Sequence, residues 1–290
     1  MSESSLQRIL VQLDSDPQPS VFDSVAAVDA GVEQLFRHGG VTVEQVRELV
    51  YGAMFTRGPE DLRHTAIFIG GSNVAAGEAL LAEATKCFFG PMRVSLMLDS
   101  NGANTTAAAA VLAAARHVPL AGAKALVLAA TGPVGRRVVR LLAREGAIVR
   151  AASRDMERAL QACHEVSQHM PDAQLEAIET STPATIAAAL EGTEIVISAG
   201  APGVQLLSTD ERGSCGSLRV AIDLSAVPPL GLEGIEMHDK GVERDGALCY
   251  GAIGVGGTKM KIHKAAIVEL FKSNDRVLDA EEIFRIGREL

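Results

Sequence analysis

A glycine-containing segment in the middle of the chain has the spacing of a dinucleotide-binding turn. It joins a predicted buried strand, 124–130, to a predicted helix, 134–145. In such a turn the central glycine lets the backbone approach a pyrophosphate, and the helix N-terminus offers N–H groups to its oxygens. Ala130 replaces the first glycine of the G-x-G-x-x-G pattern, so the match is imperfect and the glycines could simply form a turn. The candidate cofactor-binding residues are Thr131, Gly132, Pro133, Val134 and Gly135.

The residues after the next predicted strand, 147–152, indicate which dinucleotide would bind. An Asp or Glu at this point usually binds a ribose 2′-hydroxyl, whereas a 2′-phosphate needs a cation. Ser153 and Arg154 follow the strand, Arg158 comes one helical turn later, and Asp155 is the acid close by. Because a guanidinium bonds phosphate oxygens in a forked geometry, the pattern favours NADP over NAD. The alternative is that both arginines are solvated helix residues.

Two later strand ends in the same region carry small or acidic residues. Ser198, Ala199 and Gly200 close the predicted strand 194–198, and Asp223 lies near the end of the predicted strand 219–224. Open α/β sheets bind ligands at the carboxyl ends of their strands, and small residues there would let a nicotinamide ring approach closely. Asp223 could instead cap a loop.

A polar segment, 99–106, ends a predicted strand in the first part of the chain, 93–98. Its members have amide, carboxylate and hydroxyl groups that suit a polar ligand: Asp99, Asn101, Asn104, Thr105 and Thr106. The same residue types also form turns and cap helices, and an Ala-rich helix is predicted to follow. From the residues alone both interpretations stay open. Phe22, after a Pro-rich turn, could stack on a flat ring, although one Phe at helical spacing is more often in a core.

A predicted helix, 259–272, carries two further candidates near its start. Gly256, Gly257 and Thr258 are predicted to cap this helix, and Lys259 and His263 lie four residues apart on one face. The alternative is a solvated face shared with other lysines. Cys163, His164 and His169 have no spacing that points to a metal, so no metal site is expected.

The predicted elements that would position these residues alternate between strands and helices. A strand at 8–13, a helix after Ser20, a helix with a Thr42–Gln45 capping box and strands at 65–69 and 93–98 favour an α/β class with parallel strands. A Pro- and Gly-containing link at 118–122 is predicted to separate two domains.

The composition is that of a globular chain with an acidic surface. Of 290 residues, 47% are hydrophobic, and 27 basic minus 36 acidic residues give a net charge of −9. Such a charge argues against nucleic acid or an anionic membrane as the main partner. The segment 1–5 has no leader pattern, the longest apolar run, 107–115, is too short to span a bilayer, and the four cysteines form no pairs of close spacing. A cytoplasmic location is expected.

Eight segments together resemble the NADP-dependent methylenetetrahydromethanopterin dehydrogenases of one-carbon metabolism, in order and spacing along nearly the whole chain. They are Pro19–Asp23, Phe55–Gly58, Ala66–Gly71, Phe88–Pro91, Leu98–Thr106, Thr131–Gly135, Pro228–Gly231 and Gly256–His263. The resemblance implies a pterin domain, 1–118, completed by helices at about 259–290, and a Rossmann-type NADP domain, 119–258, with a cleft between them. It also implies a homo-oligomer, trimer or hexamer.

The resemblance gives roles to several of the candidate residues. It implies that Phe22, Asp23, His263 and the polar segment 99–106 bind a reduced pterin, whose amide, amine and carbonyl groups suit them. Lys259 would orient the pterin and the nicotinamide. The tyrosines, Tyr51 and Tyr250, lack the Tyr-x-x-x-Lys spacing of the related bifunctional cyclohydrolases, so that second activity is not expected.

The expected function is therefore hydride transfer from a methylene pterin to NADP. The carrier would be tetrahydromethanopterin, with tetrahydrofolate as a possible second one, and the product a methenyl cation. Because no proton moves in that step, no general base is needed. Two alternatives are a non-catalytic NADPH-binding sensor and another Rossmann dehydrogenase acting on a small acid, since a fold does not fix a function.

Overall fold

The computed structural model describes residues 6–290, so the segment 1–5, on which the leader expectation rests, lies outside the described residues. Contacts divide the chain into two compact units. Unit 1 holds the residues up to Thr105 together with 260–290, and unit 2 holds 106–259. The first division falls inside a helix, not in the predicted link at 118–122, because the Ala-rich segment after Thr105 makes its contacts mainly within unit 2.

Strands and helices alternate along most of the described chain. The strands are β1 (Ile9–Asp14), β2 (Gln34–His38), β3 (Thr65–Gly70), β4 (Ser95–Leu98), β5 (Lys124–Leu128), β6 (Ile148–Ser153), β7 (Leu175–Glu179), β8 (Ile195–Ser198), β9 (Val220–Asp223), β10 (Lys240–Arg244), β11 (Ala247–Tyr250) and β12 (Val277–Leu278). The helices are α1 (Val21–Asp29), α2 (Val43–Met54), α3 (Val74–Lys86), α4 (Ala103–Ala115), α5 (Pro133–Arg144), α6 (Met156–His169), α7 (Pro183–Leu190), α8 (Thr209–Gly213), α9 (Ala252–Glu269) and α10 (Ala280–Arg288).

Unit 1 is built on a five-stranded sheet in the order β12-β4-β3-β1-β2, in which all neighbours are parallel. All six residues of β3 are buried, as expected for a continuous apolar run at the centre of a parallel sheet. Thr42 caps α2, and its N–H donates to the side-chain oxygen of Gln45 at 2.9 Å, which confirms the predicted capping box. The sheet thus brings the ends of β1, β3 and β4 to one edge.

Unit 2 is built on a seven-stranded sheet in the order β10-β11-β9-β8-β5-β6-β7. Its strands are parallel except for the β10–β11 pair. The chain runs from β5 through β6 to β7 on one side, and then crosses to β8 on the other side of β5. This arrangement is the doubly wound order of a dinucleotide-binding fold, which confirms the predicted α/β class for this part of the chain. Strand order reverses at β5, so the ends of β5, β6, β8 and β9 lie at the edge where ligands are expected.

Helix α9 begins earlier than predicted. The segment 256–258 was expected to cap a helix that starts at Lys259, but α9 already begins at Ala252. Its first turn packs closely, because a Cβ on Gly251 would lie 2.1 Å from the carbonyl oxygen of Glu236, and one on Gly254 1.8 Å from that of Asp239. Lys259 and His263 are therefore in the interior of the helix. No helix in the range 6–290 has the length and apolarity needed to cross a membrane.

Candidate functional site

The predicted phosphate turn lies between β5 and α5, at the carboxyl edge of the unit 2 sheet. Gly132 is the N-cap of α5, and Pro133 occupies its first turn, where a missing N–H costs nothing. A Cβ on Gly132 would have no neighbour nearer than 3.6 Å, so this side of the turn is open. An open N-terminal turn with unpaired N–H groups is suited to a pyrophosphate.

The left-handed backbone conformation in this turn lies one residue before the position where the sequence pattern expects a glycine. Ala130 replaces the expected glycine, yet Ala129 is the residue with a left-handed backbone, at φ 56°. Ala130 instead donates its N–H to the carbonyl oxygen of Ala152 at 2.9 Å, which ties the turn to the end of β6. A left-handed alanine costs roughly 1–2 kcal/mol. The turn therefore needs no glycine at position 130, because the left-handed conformation falls on Ala129.

Gly135 is the position in this turn where a side chain cannot fit. A Cβ there would lie 2.5 Å from the carbonyl oxygen of Ala129 and 2.8 Å from Cα of Ala130. Gly135→Ala is expected to lower the free energy of unfolding, measured in urea, by about 1–3 kcal/mol, because backbone atoms must shift. Gly132→Ala is the matched control with a smaller expected loss. Equal stability of the Gly135→Ala protein and the parent would contradict the close helix–strand approach.

The end of β6 presents two exposed arginines. In the described chain, neither the Arg154 nor the Arg158 guanidinium has a hydrogen bond or ion pair, and both residues are exposed. The neighbouring acid, Asp155, is the N-cap of α6, where its carboxylate accepts the N–H groups of Glu157 and Arg158. Ser153 is buried, and its hydroxyl accepts the N–H of Asp155 at 3.2 Å. Asp155 is thus engaged in capping α6 and is not paired with either guanidinium.

The ends of β8 and β9 complete this edge of unit 2. Ser198 and Asp223 are buried, whereas Ala199 and Gly200 are half-buried. The Asp223 carboxylate accepts the N–H groups of Ser225 and Leu232 at 3.1 and 2.9 Å. Burial raises the pKa of Asp223, and these N–H donors oppose that shift. Asp223 thus caps the loop after β9, which is the alternative that the sequence left open.

In unit 1, the predicted polar segment folds into a buried network at the end of β4. Oδ1 of Asp99 accepts the N–H groups of Asn104 and Thr105, both at 3.0 Å, and Oδ2 accepts the Thr105 hydroxyl at 2.7 Å. The Asn104 amide donates to the carbonyl oxygen of Leu98 and to Oδ1 of Asp279 at 2.9 Å. Asp99, Asn104 and Thr105 are at most 1% exposed. Their polar groups form hydrogen bonds inside unit 1.

Asn101 is the exposed member of the same segment. Its backbone is left-handed, at φ 54°, and its N–H donates to the carbonyl oxygen of Gly71 at 2.7 Å. The side chain therefore stands at the carboxyl edge of the sheet, next to the loop that follows β3. Thr106 is half-buried and is the first residue grouped with unit 2. Within the segment, Asn101 has the position expected of a ligand-binding residue.

His263 joins this network from α9. Its Nδ1 lies 3.2 Å from Oδ2 of Asp99, and its Nε2 lies 3.9 Å from Oδ1 of Asp23. The Phe22 ring stands edge-on to the imidazole, with ring centroids 6.4 Å apart, and Phe22 is 53% exposed. That exposure excludes the interpretation of Phe22 as a core residue. Unit 1 therefore brings together Phe22, Asp23, Asp99 and His263.

Gly70 is a residue of this site that the sequence analysis did not single out. A Cβ there would lie 3.2 Å from Oδ2 of Asp14, 3.1 Å from the Phe68 ring and 3.6 Å from Oδ2 of Asp23. Glycine at the end of β3 therefore lets these side chains converge. The signal available in the sequence was the Gly70-Gly71 pair directly after a buried strand.

Lys259, the proposed orienting residue, is half-buried in α9 and is grouped by its contacts with unit 2. It lies four residues before His263, so both are on one face of the helix, as predicted. The two glycines before it, Gly256 and Gly257, are inside the helix, and a Cβ on either would meet no atom within 4 Å. No group of three or more His, Cys, Asp or Glu side chains within 6–290 has a metal-binding arrangement.

Comparison with known proteins finds two separate domain matches along the chain. Residues 21–101 match the model of the methylene-tetrahydromethanopterin dehydrogenase N-terminal domain, and residues 129–226 match an NAD(P)H-binding domain. The 5-ketofructose reductase of a Gluconobacter strain shares the fold, with a TM-score of 0.53 and 16% identity over 98% of this chain and 99% of that one.

Two proteins of Methylorubrum extorquens are similar along nearly the whole sequence. One, named bifunctional protein MdtA, is 43% identical over 98% of this chain and 99% of its own length. The other, named NAD(P)-dependent methylenetetrahydromethanopterin dehydrogenase, is 28% identical over 93% of this chain and 94% of its own. With identity of this extent and a matching N-terminal domain, the chain belongs to the methylenetetrahydromethanopterin dehydrogenase family.

Proposed function

We propose that this protein is an oxidoreductase that transfers a hydride from methylenetetrahydromethanopterin to NADP. Methylenetetrahydrofolate is a second candidate donor. Membership of the family supports the pterin substrate, and the NAD(P)H-binding match supports the acceptor. The observation that carries the choice of NADP is the pair of exposed, unpaired guanidiniums of Arg154 and Arg158 at the end of β6. A 2′-phosphate needs a cation at this strand end.

The reaction requires little acid–base catalysis by the protein. A C–H bond of the methylene bridge breaks, its electron pair leaves with the hydrogen to the nicotinamide, and the carrier becomes a resonance-stabilised methenyl cation. No proton is released in this step, so no side chain has to act as a general base. The main task of the protein is orientation of the two reactants, which can contribute several kcal/mol to lowering the barrier.

Some of the candidate residues would contact a ligand, and others would hold the contacting residues in place. In unit 2, the dinucleotide would be bound by the turn 131–135 together with Ser153, Arg154 and Arg158. The nicotinamide would find room beside Ala199 and Gly200. The strand ends would be supported by Ser198 and Asp223. In unit 1, Phe22, Asp23, Asn101 and His263 would contact the pterin, while Asp99, Asn104 and Thr105 support them. Lys259 would orient the reactants, and Thr106 stays a proposed contact.

The proposal is tested by assaying the purified protein with NADP and NAD against methylenetetrahydromethanopterin and methylenetetrahydrofolate. Appearance of NADPH together with the methenyl absorbance is the expected result, faster with NADP than with NAD. Tight NADPH binding without turnover of either carrier would instead identify a sensor. Turnover of a small hydroxy acid alone would identify a different dehydrogenase.

A variant of Asn101 tests the pterin contact. Asn101→Ala is expected to raise the pterin Kd several-fold, since a neutral hydrogen bond is worth about 0.5–1.5 kcal/mol, and to leave the NADP Kd nearly unchanged. Because Asn101 has a left-handed backbone, alanine also adds strain there. Asn101→Gly is the matched control, since it removes the amide without that strain. Loss of pterin affinity in the alanine variant alone would assign the effect to the backbone.

Self-association as a trimer or hexamer belongs to the same proposal. Val21, Val25 and Val28 of α1 and Phe36 of β2 are at least half exposed, and apolar side chains grouped on a surface often mark a contact with another chain. Sedimentation velocity tests this expectation, and a protein that stays monomeric at micromolar concentration would contradict it.

A further inference from the structure

The imidazole of His263 has two nitrogens in different surroundings. Nδ1 lies 3.2 Å from Oδ2 of Asp99, within hydrogen-bond distance. Nε2 is buried and has no hydrogen-bond partner in the described chain; the Asp23 carboxylate faces it, with Oδ1 3.9 Å away. Phe22 and Phe68 contribute ring contacts and no charge. The two nitrogens therefore have different roles.

The hydrogen bonds of Asp99 decide which nitrogen carries the proton. Asp99 accepts two backbone N–H groups at Oδ1 and the Thr105 hydroxyl at Oδ2. In all three contacts the oxygens of Asp99 act as acceptors, as carboxylate oxygens do. Nδ1 of His263, which lies next to one of these oxygens, is therefore assigned as the donor. In the neutral imidazole the other nitrogen, Nε2, then has a lone pair and acts as an acceptor.

We propose that Asp99 is a positioning residue, which keeps the proton of His263 on Nδ1 and so leaves Nε2 to accept an N–H group of the reduced pterin. The substrate class rests on the proposed function. A buried acceptor without a partner is unfavourable, and a donor that enters with the ligand removes this penalty. Phe22, which is exposed and edge-on to the imidazole, is the side chain next to the entering ring. Asp99 itself does not touch the pterin.

The position of the proton can be measured directly in the ligand-free protein. In a sample with ¹⁵N-labelled histidines, the ring nitrogen shifts distinguish the two tautomers, and His263→Gln identifies the His263 signals. The parent protein is expected to show Nδ1 protonated and Nε2 bare. Asp99→Asn is expected to reverse this pattern. The asparagine oxygen can still accept the two backbone N–H groups, while its NH2 donates to Nδ1 and forces the proton to Nε2.

The same variant connects the tautomer to binding. Asp99→Asn is expected to raise the Kd of the carrier without its one-carbon unit roughly ten- to a hundred-fold, because Nε2 has become a donor, and to leave the NADP Kd unchanged. Ser95→Ala is the matched control for lost stability. It removes two hydrogen bonds of the buried Ser95 hydroxyl, which donates to the carbonyl oxygen of Ser273 at 2.9 Å and accepts the N–H of Arg276 at 3.2 Å, and neither involves His263.

The outcomes separate this inference from the proposed function. A parent protein with a bare Nδ1, or with protons on both nitrogens at the pH of activity, overturns the inference whether or not the variants fold. So does an Asp99→Asn protein that keeps the Nδ1 proton, or that binds the carrier as well as Ser95→Ala does. Absence of turnover in a parent protein with the expected tautomer refutes the proposed function instead and leaves the role of Asp99 intact.

Discussion

Replacing Arg154 with alanine is expected to raise the KM for NADP roughly ten- to a hundred-fold, because one charge-assisted contact is worth about 1.5–3 kcal/mol. The KM for NAD, which lacks the 2′-phosphate, should stay nearly the same. The physical reason is the position of the guanidinium directly after β6, exposed and without an acid partner in the described chain. Steady-state kinetics with both dinucleotides provide the measurement.

Two further variants separate a specific contact from a general change in charge. Arg158→Ala is expected to shift the same ratio of KM values in the same direction, since Arg158 lies one helical turn later and is also unpaired in the described chain. Arg144→Ala is the matched control. It removes the same charge from an exposed residue, but at the opposite end of α5 from the phosphate turn. If the parent protein used NAD and NADP equally well, the proposal that Arg154 and Arg158 bind the 2′-phosphate of NADP would be wrong.

Replacing Lys259 with alanine is expected to lower kcat at least tenfold, which corresponds to about 1.4 kcal/mol of barrier. Lys259 is half-buried in the interior of α9, four residues before His263. A role in orientation makes a definite prediction about pH. Activity of the variant should not recover at alkaline pH, because the missing contribution is the placement of the reactants and not the removal of a proton.

Lys261→Ala is the control for this experiment, since Lys261 is exposed on the same helix, two residues away. Its kcat is expected to match that of the parent. Unchanged turnover of Lys259→Ala at saturating concentrations of both substrates would place Lys259 outside the site. A parent turnover that depends steeply on one ionisation near neutral pH would argue against a mechanism without a general base.

The local patterns of the sequence were sufficient for most elements of the two sheets. Strands at 65–69 and 124–130, the capping box at Thr42 and the helix after the phosphate turn are confirmed, with ends that differ by a few residues. β7, α7 and the β10–β11 pair were not predicted. Several of these elements are short and half-exposed, and a weak apolar pattern in a short segment gives little signal.

The candidate site was only partly accessible from the same patterns. The phosphate turn and the two arginines directly follow predicted strands, so the local sequence pattern is enough to predict where they lie. The start of α9 could not be found in this way. Gly256 and Gly257 are typical of a helix end. The helix nevertheless continues through both of them, because Gly251 and Gly254 at its start pack closely against segment 236–239. Here tertiary packing overrides local preference.

The sequence by itself therefore indicates an α/β protein with a dinucleotide turn, a cationic strand end and a polar segment after β4. Only the tertiary structure distinguishes Asn101, which is exposed, from Asp99, Asn104 and Thr105, which are buried. It also joins Asp99 to His263, although 164 residues separate them in the chain. Hydrogen bonds between such distant residues depend on which strands and helices pack together, and neither residue type nor spacing contains that information.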